Sequence, residues 1–81
     1  MVENEGYIGS LALEISKGRG RVIRAGWKRY KGADFFDIRE FIGGAYTKLG
    51  VTLPLNLVKP FANALLLWCE VQDPSLFETD D

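Results

Sequence analysis

Residues 21–42, RVIRAGWKRY KG ADFFDIREFI, decide the fold. Two runs alternate apolar with polar side chains, and Lys31-Gly32 separates them. A period of two marks strands that bury one face, and a two-residue connection ending in Gly marks a hairpin. In the first run Ile23, Ala25 and Trp27 face a core while Arg24, Lys28 and Tyr30 face outward. In the second, Phe36, Ile38 and Ile42 take one side and Phe35, Asp37, Arg39 and Phe41 the other.

Working outward, residues 7–16 alternate too, with Leu11, Leu13 and Ile15 on one face and Ser10, Ala12 and Glu14 on the other. KGRG at 17–20 supplies a second hairpin connection. Residues 1–6 are polar and expected to be flexible. Gly43-Gly44 opens a loop expected to run to Lys48, before a short strand at Val51-Thr52-Leu53 that Pro54 stops. The last element is helical: Val58, Phe61, Leu65 and Trp68 recur at helical spacing. Pro60 is tolerated only near the helix start, so 54–59 is expected to form a distorted or separate turn. The acidic end DPSLFETDD closes the helix at Pro74 or earlier and leaves 74–81 as an acidic tail. The order predicts an α+β domain over 7–73, a four-stranded antiparallel sheet followed by one C-terminal helix. Between Phe61 and Val71 nine of eleven residues are apolar, too many for one helix stripe. One small sheet covers only one side of such a helix, so a homodimer is expected, with Phe61, Leu65, Leu66 and Trp68 at its interface.

Composition narrows the function. The chain has 81 residues and a formal charge of −1, enough for a single domain with a small core. The longest apolar run, Ala64 to Cys69, is far short of the ~20 residues a membrane span needs. The acidic start MVENEGY carries no signal pattern, which predicts a soluble intracellular protein, in nucleoid, cytoplasm or nucleus, or in host cytoplasm if viral. Histidine is absent and Cys69 is alone in an apolar helix, so neither nucleophilic catalysis nor a metal cage has its residues, and no enzyme, cofactor or metal is expected. Asp34, Asp37 and Glu40 are the one carboxylate set to weigh, but alternation puts Asp34 and Asp37 on opposite faces, with Lys28 and Arg39 near enough to neutralise Asp37. KGRG lacks the spacing of a phosphate loop.

Charge is distributed unevenly. Nine of the ten Lys and Arg lie between 17 and 48, against three of the eleven Asp and Glu. A local basic field draws polyanions even to a nearly neutral chain. On the outward sheet face Arg24, Lys28 and Arg39 alternate with Tyr30 and Phe35, and Lys31 sits in the adjoining turn. Cations pair with phosphates and rings stack on unpaired bases, which predicts a binder of single strands. The plainer reading is a solvated face on which Lys and Arg discourage edge pairing and Tyr30 and Phe35 pack across strands.

The run YKGADFFDIREF, 30–41, resembles the central hairpin of the transcriptional coactivator family called positive cofactor four (PC-four). That family carries an aromatic-Lys-Gly turn, here Tyr30-Lys31-Gly32, and an Asp-Ile-Arg-Glu-aromatic strand, here Asp37-Ile38-Arg39-Glu40-Phe41. Lys48-Leu49-Gly50-Val51-Thr52-Leu53 looks like its Lys-Gly-Ile-Ser-Leu strand, and the likeness extends over residues 21 to about 71. The resemblance implies a curved antiparallel sheet backed by one helix, dimerisation through helices and sheet edges, and binding of single-stranded or melted DNA without strong sequence preference, in transcription, replication and repair; a part in transcription, replication or recombination is expected of this chain. Carried over by position, the DNA contacts are Lys28, Tyr30, Lys31 and Arg39, with Arg21 and Lys48 as less secure matches. Simple alternation puts Arg21 on the core side, so it contributes only if its strand bulges.

Four departures stand out. Ile42 occupies the position of the family's second aromatic contact, Ala33 that of a basic residue after the turn, Leu49 that of one member of a basic pair, and the loop before Lys48 is shorter. Arg24, Phe35 and Tyr46 are candidates to compensate. Single-stranded DNA is the expected partner. The acidic tail with Phe77 suggests protein partners or competition with DNA, against the plainer role of a solubilising end. A protein-interaction adaptor and an RNA-binding module are the alternatives for the same fold.

Overall fold

A computed structural model describes residues 6–78. The expected flexible N-terminus lies outside them except for Gly6, as do positions 79–81 of the expected tail. Four strands, β1 (Ile8–Gly18), β2 (Arg21–Tyr30), β3 (Ala33–Ile42) and β4 (Ala45–Pro54), form one antiparallel sheet in the order of the chain. A 3-10 turn, Leu55–Leu57, leads into α1 (Val58–Glu70). The architecture is α+β, as the alternating patterns predict. No described helix is long and apolar enough to cross a membrane.

The three hairpins share one device. Arg19 and Gly20, Lys31 and Gly32, and Gly43 and Gly44 all have positive φ, between 52° and 80°. Positive φ at both central residues gives the tight turn whose twist matches its strands. The loop expected from Gly43 to Lys48 is therefore absent: Gly43-Gly44 alone reverses the chain, and β4 starts at Ala45. The turn ends at 20 and 43 meet, where Gly43 N–H donates to the Gly20 carbonyl at 2.8 Å.

β2 and β3 pair in continuous register from Arg21↔Ile42 to Tyr30↔Ala33. The flanking pairs are irregular. Between Ile8↔Trp27 and Leu13↔Ala25, β1 carries three residues more than β2. An odd insertion exchanges the faces of a strand. Leu13 and Ile15 stay on the helix side, but Tyr7 and Leu11 move to the opposite face, where both approach Gly26. The expectation that Leu11 joins Leu13 and Ile15 fails for that reason. Between Arg39↔Gly50 and Phe41↔Tyr46, β4 bulges by two residues, held by Thr47 Oγ1 donating to the Glu40 carbonyl at 2.5 Å and accepting from Leu49 N–H at 3.1 Å.

The helix crosses one face. Val58, Phe61, Ala62 and Leu65 look onto Leu13, Ile15, Ile23, Phe36 and Ile38 across a groove of about 400 Å³. Pro60 stands in the first turn, as its missing N–H requires. No residue of α1 is buried; Leu66, Leu67 and Val71 are more than half exposed. Beyond the helix, Ile23, Ile38, Leu49 and Val51 line an uncovered hollow. After the helix, Asp73 caps a second 3-10 turn, Pro74–Phe77, by accepting from Ser75 N–H at 3.0 Å. It returns Phe77 edge-on to Trp68, ring centroids 5.9 Å apart. The start of the expected tail is thus folded against the helix.

Candidate nucleic-acid interface

Of the four buried side chains among the described residues, Ala25 lies on the helix side and the other three on the face opposite the helix. Phe41 is 0%, Asp37 2% and Tyr7 5% exposed. The alternation of β3 had placed Phe41 and Asp37 on a solvent face. Their burial comes from what lies over them. Two glycines leave troughs in the sheet, and long side chains lie flat in them. At Gly26 a Cβ would stand 3.0 Å from the Tyr7 ring, and at Gly50 it would meet the Ile38 carbonyl and the Arg39 guanidinium. Tyr7 thus crosses β2 at Gly26, the register partner of Asp37, and Arg39 crosses β4 at its own partner, Gly50.

The two side chains converge on Asp37. Its Oδ2 accepts from the Tyr7 hydroxyl at 2.8 Å, and its Oδ1 accepts from Arg39 Nη2 at 2.6 Å. Arg39 Nε adds a longer bond of 3.3 Å, and Lys28 Nζ stands 3.8 Å away. Burial alone would raise the Asp37 carboxyl; the bonds from Arg39 and Tyr7, with the charges of Arg39 and Lys28, outweigh it and hold it below the ordinary carboxylate value. Burial pushes the Tyr7 phenol up, and the carboxylate it donates to pushes it further.

Rings clamp the cations above this centre. Lys28 Nζ lies 4.5 Å from the centroids of both Tyr7 and Tyr46. Arg39 lies over Tyr46 at 5.2 Å, and Arg24 over Phe41 at 4.8 Å. Each separation suits a cation–π contact. Arg24 also pairs with Glu14 on β1 at 2.7 Å. The cations are therefore fixed against the sheet, with side chains 11–22% exposed. The most exposed rings lie at the rim, Tyr30 at 66% and Tyr46 at 51% exposure. Lys31, in the turn, extends over Tyr30 at 5.3 Å.

Of the eight candidate contact residues, six share this face or its adjoining turn: Arg24, Lys28, Tyr30, Lys31, Phe35 and Arg39. Phe35 is the register partner of Lys28. Lys48 is exposed on the β4 bulge and takes part in none of the ion pairs among the described residues. Arg21 is not brought to the site. β2 has no irregularity against β3, so alternation holds, and Arg21 pairs with Glu40, as Lys17 does, at 3.4 and 2.9 Å on the helix side. Asp34 likewise pairs with Arg29 on the helix side, away from Asp37.

Tyr7 is the site residue that the pattern of the sequence concealed, since counting by twos assigns it to the helix side. The available signal was Gly9, which with Gly26 interrupts two otherwise regular strands. Among the interface candidates, Phe61 and Leu65 line the groove toward the sheet, whereas Leu66 faces away and Trp68 holds Phe77. Comparison with family models, curated proteins and solved structures finds no match for the chain.

Proposed function

We propose that this protein binds single-stranded or melted DNA without strict sequence preference, through the sheet face opposite α1, and performs no catalysis. One observation carries the reading: exposed rings and cations interleave on a single sheet face and its turn, Tyr30 and Tyr46 beside the pinned Lys28 and Arg39 and the exposed Lys31. A duplex keeps its bases stacked on one another, so rings held ready at a rim serve unpaired bases. Cations beside them, Arg39 and Lys31 among them, serve the phosphates, and those already held against the sheet do so at little further entropic cost. A relationship to the PC-four family and a role in transcription, replication or recombination are part of the proposal, supported by the Tyr30-Lys31-Gly32 turn and the Asp37–Phe41 strand.

The working form we propose is a homodimer. A helix that buries no residue, beside an uncovered hollow of Ile23, Ile38, Leu49 and Val51, presents more apolar surface than a small monomer ordinarily exposes. A second copy related by a twofold axis would cover helix and hollow together and leave the opposite face open.

Fluorescence anisotropy with single- and double-stranded oligonucleotides of one sequence, at two salt concentrations, tests the reading. Tighter binding of the single strand, weakening steeply with salt, is expected. Equal affinity for both forms, or a Kd that salt does not change, overturns it. A parallel RNA strand separates DNA from RNA binding.

A further inference from the structure

The interface contains a cleft of about 400 Å³, within the size range of small-ligand pockets. Its walls are the rings of Tyr30, Phe35 and Tyr46, and Lys28, Arg29, Asp37 and Thr52 complete it, with the Arg29 guanidinium held by Asp34 at 2.6 Å. The rings can hold a flat base. The polar groups decide which base.

Their hydrogen-bonding capacity is one-sided. Asp37 is the sole carboxylate of the cleft; it already accepts three bonds from Tyr7 and Arg39 at 2.6–3.3 Å and, at 2% exposure, offers little to a ligand. Lys28 is the opposite case. Its ammonium stands 3.8 Å from Asp37, beyond hydrogen-bond reach, between two rings that accept no conventional hydrogen bond. Among the described residues it makes no hydrogen bond, so its N–H groups are available to an acceptor on a ligand. The hydroxyls of Tyr30, Tyr46 and Thr52 can serve as donor or acceptor and so discriminate little.

Resting on the proposed binding of unpaired strands, we infer that this cleft favours bases with a carbonyl on the edge presented to Lys28 over bases with an amino group there. Thymine and uracil carry O4 and guanine O6, whereas cytosine and adenine present an NH₂ donor at the corresponding position. A carbonyl gives Lys28 an acceptor. An amino group sets donor against donor beside a part-buried ammonium, and selection then comes from the rejected base as much as from the accepted one. The preference is for a base class and leaves the order of bases unread.

The test compares anisotropy titrations with dU20, dT20 and dC20 at pH 8, where cytosine is uncharged, and the Lys28 variants below control for differences in self-stacking between the strands. dU20 and dT20 are expected to bind alike and about five-fold or more tighter than dC20, the lower end for one well-placed contact. Lys28→Gln, which offers an acceptor as well as donors, brings the dU20 to dC20 ratio toward one. Lys28→Met does the same should the Gln variant fail to fold. If the wild type binds dC20 as tightly as dU20, the base-class inference falls while strand binding stands. If the ratio survives in both variants, Lys28 is not the selector and the inference falls. If the wild type binds none of the three, the proposed function falls with it.

Discussion

The Tyr7 hydroxyl donates a 2.8 Å hydrogen bond to Asp37, thirty positions along the chain. The bond ties the residue just before β1 to the middle of β3 across the intervening strand, and the Tyr7 ring fills the trough at Gly26 on the way. A buried carboxylate that loses a donor keeps its desolvation cost. Tyr7→Phe is therefore expected to destabilise the fold by about 1–3 kcal/mol, and Tyr7→Ala by more, because the ring goes as well. Urea denaturation of the three proteins measures both; an unshifted midpoint for Tyr7→Phe would show that the bond contributes nothing.

The same pair predicts opposite losses at the two ends of the pH scale. Asp37 titrates lower in the fold than its unfolded value of about 3.9. The unfolded chain then binds more protons in that window, so the contribution is complete above the unfolded value and disappears as pH falls through the folded one. Tyr7 titrates above its unfolded value of about 10. Its contribution is complete below that value and fades as pH rises beyond it. Thermal melts across pH should show Asp37→Asn flattening the acid limb and Tyr7→Phe the alkaline limb.

Gly50 holds the space in which Arg39 lies. A Cβ there would stand 2.9 Å from Arg39 Cζ and would also meet the Ile38 carbonyl, which cannot move without disturbing the sheet. Gly50→Ala is expected to cost about 1–3 kcal/mol through overpacking. It should also weaken oligonucleotide binding, since the guanidinium is lifted off Asp37. A variant with wild-type melting and affinity would show the trough to be dispensable.

The two exposed tyrosines should separate binding from stability. Loss of a ring that stacks on a base costs about 1–3 kcal/mol of binding, so Tyr30→Ala should weaken binding several-fold or more and leave the urea midpoint unchanged. Tyr46→Ala should lower both, because Tyr46 also covers Lys28 and Arg39 and meets Phe41 edge-on at 5.8 Å. Arg21→Ala, on the far face, should change affinity less than Lys28→Gln does.

Leu66→Glu places a charge on the exposed side of α1. If a second copy covers that side, sedimentation should shift from dimer to monomer, because an unpaired charge buried at an interface is strongly unfavourable. A wild-type chain that sediments as a monomer at micromolar concentration ends the dimer proposal.

Much of this fold is legible in order along the chain. The alternation of 21–42 reports its two strands because they pair without a bulge, and the register then carries each side chain to the expected face, Arg21 included. Lys31-Gly32 reads as a turn because few sequences tolerate positive φ twice in succession. The same chemistry was available at Gly43-Gly44, yet the polar stretch to Lys48 reads as loop. What extends β4 there is the bulge held by Thr47, a contact with β3 that no local pattern announces.

Local sequence by itself determined the element types, the central hairpin, the helix and the gathering of cations and rings in one stretch, since each depends on residues within a few positions of one another. Only the tertiary structure decided which face is better packed. An insertion of three residues in β1 turns Tyr7 over, and two glycines on different strands make room for Tyr7 and Arg39 to meet at Asp37. Such a centre depends on register across four strands, and register is a relation between distant segments that the period of any one of them does not contain.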